Sequence, residues 1–88
     1  MNKLIQITGK VQGVFFRQST KQKAEELGIK GWVRNQADGS VLTEIEGSQQ
    51  ALIVMEAWLK VGPENAKVEK LVVQQGVEKG YTRFEIRK

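Results

Sequence analysis

The segment from Gly9 to Arg17 contains the residue types best suited to bind an anion. Gly9 and Gly13 allow a loop backbone to adopt dihedral angles that point several N–H groups toward one position. A helix that begins in this segment would add unpaired N–H groups and a partial positive charge. The guanidinium of Arg17 could hold two oxygens of a phosphate at once. The segment therefore predicts an anion site, and phosphate is the anion that we expect.

Asn35 follows downstream and could contribute a carboxamide to the same site. A neutral amide cannot deprotonate water, so this side chain could only align an attacking water molecule. Simpler explanations exist, because a lone arginine is usually a solvated surface charge and an asparagine near a hairpin is often a turn former. The loop around Arg17, and the spacing of Asn35 from it across two well-marked elements, favour the functional interpretation. Thr20 and Ser40 could support Asn35 from behind, but both residue types are commonplace at such positions.

Histidine and cysteine are both absent from the 88 residues. A Ser-His or Cys-His mechanism therefore cannot operate, and disulfides and most zinc sites are excluded. Catalysis would depend on Arg, Lys, Asn, carboxylates and backbone dipoles, which favours a substrate that is already reactive. The net charge is +4, with the basic excess before Asp38, around the proposed site. We expect a cytoplasmic protein without a membrane-spanning segment or a secretory signal.

The periodicity of apolar residues predicts five strands and two helices. The first helix should begin near Phe16 and end at Gly28, although Ser19 and Gln22 would also fit a capping box for a later start. We favour the earlier start because it places Arg17 in the first turn. The predicted strands are Lys3–Val11, Lys30–Asn35, Ser40–Glu46, Lys67–Gln75 and Tyr81–Arg87.

A second helix should follow Ser48, its expected cap, and end at Gly62-Pro63. Its buried stripe should contain Leu52, Met55 and Leu59, joined by Ala51 and Trp58. In the fourth strand Leu71 and Val73 should point inward, and in the last strand Phe84 and Ile86 should share one face.

The order of these elements predicts an α+β fold in a single domain spanning residues 1–88. Two split β-α-β units, joined by the hairpin at Gln36–Gly39, would give a ferredoxin-like β-α-β-β-α-β sandwich. We expect a mainly antiparallel sheet, both helices on one of its faces, and a short extra strand at the C-terminal end.

Two blocks of residues make the sequence recognisable, and they read Gly9-x-Val11-Gln12-Gly13-Val14-x-Phe16-Arg17 and Ala24-x-x-Leu27-Gly28-x-x-Gly31-Trp32-Val33-x-Asn35. Asp38-Gly39-x-Val41 and Gly47 follow them. The pattern resembles the acylphosphatase family over nearly the whole chain. One departure is the end of the chain at Arg87 and Lys88, where many relatives close on an aromatic residue.

The resemblance implies a ferredoxin-like sandwich that hydrolyses acyl phosphates to carboxylate and phosphate, without a metal or an organic cofactor. It implies that Arg17 binds phosphate and that Asn35 orients the attacking water. The loop amides that would hold phosphate belong to Gln12, Gly13, Val14, Phe15, Phe16 and Arg17. The expected partners are a small acyl phosphate and inorganic phosphate, as product or inhibitor. We expect a monomer with no membrane partner and no nucleic-acid partner.

A non-catalytic module that binds RNA or another anion is the alternative function. Basic ferredoxin-like domains can bind RNA through aromatic residues on the sheet. The third predicted strand carries Glu44 and Glu46 and lacks the aromatic and basic pattern of such modules. An acylphosphatase-like domain of a larger carbamoyl-transfer enzyme is a further alternative.

Overall fold

A computed structural model describes all 88 residues of the chain. The chain forms five strands and two helices in the predicted order. Their bounds are β1 Asn2–Lys10, α1 Phe16–Glu26, β2 Lys30–Asn35, β3 Val41–Glu46, α2 Gln49–Leu59, β4 Lys67–Gly76 and β5 Phe84–Arg87. Neither helix is both long and apolar enough to cross a membrane.

The five strands form one sheet in the order β4-β1-β3-β2-β5. β1 pairs antiparallel with β3 and β4, and β2 pairs antiparallel with β3. β5 adds to the outer edge of β2 in parallel, with Val33 opposite Ile86. The sheet is therefore the ferredoxin-like sheet that the sequence predicted, with the extra strand beside β2.

Both helices contribute to one hydrophobic core on a single face of the sheet. The buried positions are Phe16, Thr20 and Ala24 in α1 and, as predicted, Leu52, Met55 and Leu59 in α2. They meet a sheet face that includes Ile5, Ile7, Val33, Val41, Ile45 and Phe84. Trp58 packs against the same core at 6.0 Å from the ring centroid of Phe16. Met55 is thus a core residue, and Trp58 is partly buried against the core.

The two helices begin in different ways. α2 has the predicted cap, because the Ser48 hydroxyl accepts a hydrogen bond from the Ala51 N–H at 3.1 Å. α1 begins at Phe16 and has no side-chain cap. The capping box from Ser19 is not used. Burial of the Phe16 side chain, which is 2% exposed, is worth about 1.5–3 kcal/mol, more than a typical cap contributes.

Gly31 in β2 lies against the backbone of β3. A Cβ atom at this position would be 1.9 Å from the carbonyl oxygen of Glu44, and the φ angle is +142°. Both the space and the dihedral angle therefore require glycine here. This contact sets how closely β2 approaches β3, and with it the position of Asn35 at the end of β2.

One prediction about the last strands was wrong, and another held in direction but not in burial. Val73 lies opposite Ile5 and so shares the helix-facing side of the sheet, but it is 38% exposed because β4 is an edge strand, whereas Leu71 packs against the core. The last strand was expected to begin at Tyr81 and begins at Phe84. The Tyr81 N–H donates to a Glu46 carboxylate oxygen at 3.1 Å, so the chain around Tyr81 contacts side chains of β3 and forms no ladder.

Candidate active site

The loop between β1 and α1 has an unusual backbone. Gly13 has a φ of +75°, and Phe15, the residue before α1, has a φ of 60° and a ψ of 25°. Phe15 is the one non-glycine residue of the chain with a positive φ. A left-handed conformation costs such a residue about 1–2 kcal/mol. Strain of this kind clusters at ligand-binding loops, where the surrounding structure holds it in place.

The N–H groups of this loop and of the first turn of α1 have no acceptors within the chain. The first backbone hydrogen bond in the region is donated by Ser19 to the carbonyl of Phe15, at 3.0 Å. The N–H groups from Gln12 to Gln18 donate to no other residue. An uncapped helix start with free N–H groups favours an anion, because the helix dipole adds a partial positive charge.

Gln12 ties this loop to the hairpin between β2 and β3. Its side-chain amide donates to the carbonyl of Gln36 at 2.8 Å and to the carbonyl of Ser40 at 2.9 Å. The hairpin is stabilised in turn by Asp38, whose carboxylate accepts from the N–H of Ser40 at 2.9 Å. The hydrogen bond from the Ser40 hydroxyl, followed by that from the Ser40 N–H, lowers the pKa of Asp38. The loop between β1 and α1 is therefore linked directly to the turn that follows Asn35.

Arg17 and Asn35 line the same open cavity, which has a volume of about 400 Å³. Its wall is formed by Val11, Gly13, Phe15, Phe16, Arg17, Gln18, Asn35 and Ile86. The Arg17 guanidinium makes no ion pair with a carboxylate of the chain, so its positive charge is available to a ligand. Asn35 occupies the end of β2 and shares a sheet face with Val33, and it lines the cavity together with Phe16 and Arg17 from the first turn of α1.

Not every residue of the predicted site lines this cavity. Gly13, Phe15, Phe16 and Arg17 do, whereas Gln12 and Val14 do not. The side chain of Gln12 is directed to the hairpin, and that of Val14 is part of the core. The two residues considered as supports for Asn35 have other partners, since Thr20 donates to the carbonyl of Phe16 and Ser40 to Asp38.

Gln18 and Ile86 line the cavity and were not predicted to belong to the site. Gln18 follows Arg17 in the first turn of α1, so the early helix start could have indicated it. Ile86 was placed correctly on one face with Phe84, but its position beside Asn35 depends on the parallel pairing of β5 with β2. No local sequence signal predicts which edge of the sheet a short terminal strand joins.

A cluster of polar side chains around Glu44 lies on the face of the sheet opposite the helices. Glu44 is 5% exposed and accepts hydrogen bonds from Trp32 at 3.0 Å, from Tyr81 at 2.7 Å, from Asn2 at 2.9 Å and from the Lys79 amine. Burial alone would raise the pKa of Glu44, but these donors lower it to about 2. Burial and the bond to Glu44 raise the pKa of Tyr81.

This cluster bears on the RNA-binding alternative. A sheet that binds RNA presents exposed aromatic side chains on its open face. Trp32 points to that face but is only 6% exposed, with the guanidinium carbons of Arg34 and Arg87 at 5.1 and 4.9 Å from its ring centroid. The segment from Lys79 to Tyr81 donates three backbone hydrogen bonds to Glu46 and covers the same face. The structure therefore gives the RNA-binding alternative no support.

The comparisons with known proteins all indicate the same family. The family model described as Acylphosphatase matches residues 3–86. An acylphosphatase of Thiobacillus denitrificans is 46% identical over 83 residues, which are 94% of this chain and 92% of that protein.

Two solved structures have the same fold. An acylphosphatase from Coxiella burnetii superposes with a TM-score of 0.95 at 37% identity, covering 98% of this chain and 90% of that one. An acylphosphatase from Bacillus subtilis also gives a TM-score of 0.95, at 33% identity, over 99% of this chain and 98% of that one. The chain therefore belongs to the acylphosphatase family, a family of hydrolases.

Proposed function

We propose that the cavity beside α1 is the active site, where the protein hydrolyses the carboxyl-phosphate bond of acyl phosphates. The observation that carries this proposal is that one cavity is lined by an unpaired arginine, Arg17, and by the amide side chain of Asn35. The free N–H groups from Gln12 to Arg17 border the same region. Cationic, N–H and carboxamide groups together suit a phosphate and an incoming water.

The phosphoryl group is held by the loop amides of Gln12 to Arg17 and by the guanidinium of Arg17. The N–H groups of Gly13, Phe15 and Phe16 belong to residues that line the cavity. The amides of Gln12 and Val14 contribute through the loop backbone, while their side chains hold the loop in place. Several fixed donors can absorb the charge of three phosphoryl oxygens as the transition state forms.

Asn35 orients the water that attacks phosphorus. Phosphoryl-transfer transition states are loose, so the protein needs mainly to position groups and to stabilise charge. The phosphorus–oxygen bond to the acyl group breaks, and the bonding electrons leave with the carboxylate. The proton of the water passes to a phosphoryl oxygen of the substrate, because Asn35 cannot accept it. A carboxylate is a good leaving group, which suits a protein that contains no histidine.

The proposal includes reaction without a metal or an organic cofactor. No group of three or more Asp and Glu side chains is arranged to hold a metal ion. Phosphate release from benzoyl phosphate, measured with and without a chelator, tests this part directly. The monomeric state and the cytoplasmic location expected from the sequence also belong to the proposal, and sedimentation and cell fractionation test them.

Two substitutions separate the assigned roles. Arg17→Ala should reduce kcat/KM by about 100- to 1,000-fold and weaken inhibition by inorganic phosphate, because it removes the charged ligand of the phosphoryl group. Asn35→Ala should reduce kcat by about 100-fold and leave phosphate inhibition within about twofold, because its contact is to water in the transition state. Arg83→Ala, a charge-matched control at an exposed site, should behave as the wild type.

The wild type must release phosphate from benzoyl phosphate, or the proposed function is wrong. If Asn35→Ala weakened phosphate inhibition as strongly as turnover, the residue would be a phosphate ligand and its assigned role would be wrong. Circular dichroism of each variant establishes that the fold is intact.

A further inference from the structure

Arg34 and Arg87 form a pair of cations on the face of the sheet opposite the helices. They lie opposite each other in the parallel register of β2 and β5. Their guanidinium carbons are 5.1 and 4.9 Å from the centroid of the Trp32 ring, so both side chains contact the same aromatic group. Like charges that lie opposite each other on neighbouring strands repel and destabilise the sheet. An anion bound between the two guanidiniums would relieve this repulsion.

No carboxylate of the chain neutralises the pair. Neither guanidinium makes an ion pair or donates a hydrogen bond to another residue. The two carboxylates opposite Trp32 in the strand register have other partners, because Glu44 pairs with Lys79 and Glu85 pairs with Arg83. A guanidinium carries several N–H donors in a fixed planar arrangement. The pair therefore offers unused charged donors to a ligand.

Trp32 holds both guanidiniums in place. The ring is 6% exposed, and its indole N–H donates to Glu44 at 3.0 Å and to the Tyr81 hydroxyl at 3.1 Å, which fixes its orientation. Cation–π attraction to this ring restrains the two arginine side chains, so less conformational entropy is lost when an anion binds. Arg34 is partly exposed and Arg87 is exposed, so an anion in solution can reach both.

The charge of the pair selects the anion. Two cations side by side favour an anion with two negative charges and several acceptor oxygens, and guanidiniums bind pairs of phosphate oxygens. We propose that Arg34 and Arg87 form a second anion site, which binds a phosphate group, either as inorganic phosphate or as a phosphate monoester. The second anion site does not depend on the proposed function, because neither arginine lines the cavity that contains Arg17.

Titration of the isotope-labelled protein, followed by nuclear magnetic resonance at neutral pH and constant ionic strength, tests this site. The indole N–H signal of Trp32 and the backbone N–H signals of Arg34 and Arg87 report the second anion site. The backbone N–H signals of Gly13 and Arg17 report the cavity. Inorganic phosphate, methyl phosphate and acetate are added in separate titrations, so that free phosphate, a monoester and a singly charged carboxylate are compared.

Inorganic phosphate and methyl phosphate should both shift the signals of the second anion site, with dissociation constants on the order of 1–10 mM. Acetate should bind about tenfold more weakly, because it carries one negative charge. If only one of the two phosphates binds, the site stands and that titration identifies whether its ligand is free phosphate or a monoester.

Four variants separate the second anion site from the cavity. Arg34→Gln and Arg87→Gln should each weaken phosphate binding at the second site by about tenfold and leave the cavity signals unchanged. Arg17→Ala should have the opposite effect. Lys30→Gln is the charge-matched control, because Lys30 is exposed and shares a face of β2 with Arg34, and it should leave both sets of signals unchanged. Circular dichroism of each variant establishes that the fold is intact.

Three outcomes would overturn the second anion site. One is a wild type whose Trp32 and arginine signals do not move with inorganic phosphate or methyl phosphate up to about 100 mM. Another is equal weakening by Lys30→Gln, which would indicate general attraction to a positive surface. The third is a Trp32 response that disappears in Arg17→Ala and persists in Arg34→Gln and Arg87→Gln, because it would report the cavity. None of these affects the proposed function, which depends on phosphate release from benzoyl phosphate.

Discussion

The buried carboxylate of Glu44 should make the stability of this protein depend on acid pH. Glu44 accepts hydrogen bonds from Trp32 at 3.0 Å, from Tyr81 at 2.7 Å and from Asn2 at 2.9 Å, and it pairs with Lys79. In Glu44→Gln, one carboxylate oxygen becomes an NH₂ group, which cannot accept a hydrogen bond from the four donors around it. At neutral pH the variant should therefore lose charge-assisted hydrogen bonds and leave buried donors without partners.

The size of the effect follows from the pKa of Glu44, which is about 2 in the folded protein against an ordinary value of 4.5. At 1.36 kcal/mol per pH unit, the difference corresponds to about 3 kcal/mol of stability. The side chain of Lys79 is 53% exposed, so solvent screens its contribution and roughly 2–3 kcal/mol is the expected value.

The sign of the pH dependence follows from the direction of the shift. Because folding lowers the pKa, the stabilisation is complete above the unfolded-state value near 4.5. It is lost as the pH falls from there toward 2, where the folded-state carboxylate becomes protonated. The pKa of Glu46 is also lowered, so some acid dependence should persist in the variant. The difference between wild type and Glu44→Gln isolates the contribution of Glu44.

Urea unfolding followed by far-ultraviolet circular dichroism, at pH values from 7 to about 2.5, measures this difference. The wild type should be roughly 2–3 kcal/mol more stable than Glu44→Gln at pH 7, and the gap should shrink to below about 1 kcal/mol at the lowest pH, which is still slightly above the folded-state pKa. Glu85→Gln is the matched control, since Glu85 is 42% exposed and should change stability little. A gap that stayed constant over the whole pH range would refute the assignment of the acid dependence to Glu44.

Two further predictions concern the backbone of β2 and the loop between β1 and α1. Gly31→Ala should cost roughly 3 kcal/mol or more in the free energy of unfolding, because its Cβ would lie 1.9 Å from the Glu44 carbonyl oxygen. Gly39→Ala, with a positive φ but no atom near its Cβ, should cost only about 1–2 kcal/mol, and equal losses would show that the clash is relieved elsewhere. Gln12→Leu should weaken phosphate inhibition about threefold, because the loop loses its two hydrogen bonds to the hairpin; an unchanged inhibition constant would contradict this role.

Local sequence patterns were sufficient to predict the elements and most of their buried faces. Apolar spacing identified both helices, and the signal at Asp38 and Gly39 identified the hairpin. These predictions succeed because each depends on residues a few positions apart. The choice between Phe16 and Ser19 as the start of α1 was harder, because a weak capping signal competed with the burial of one large side chain in the core.

The sequence alone determined the fold class, the family resemblance and the proposal that Arg17 and Asn35 act together. Only the tertiary structure decided that Ile86 joins their cavity, because β5 pairs with β2 and a pairing across fifty residues leaves no local trace. It also decided that Glu44 is buried, since alternation along a strand puts Glu44 on the face opposite Thr43 and Ile45 but cannot indicate that the segment carrying Lys79 and Tyr81 covers it. Periodicity specifies which side of a strand a residue occupies, and long-range packing specifies what covers that side.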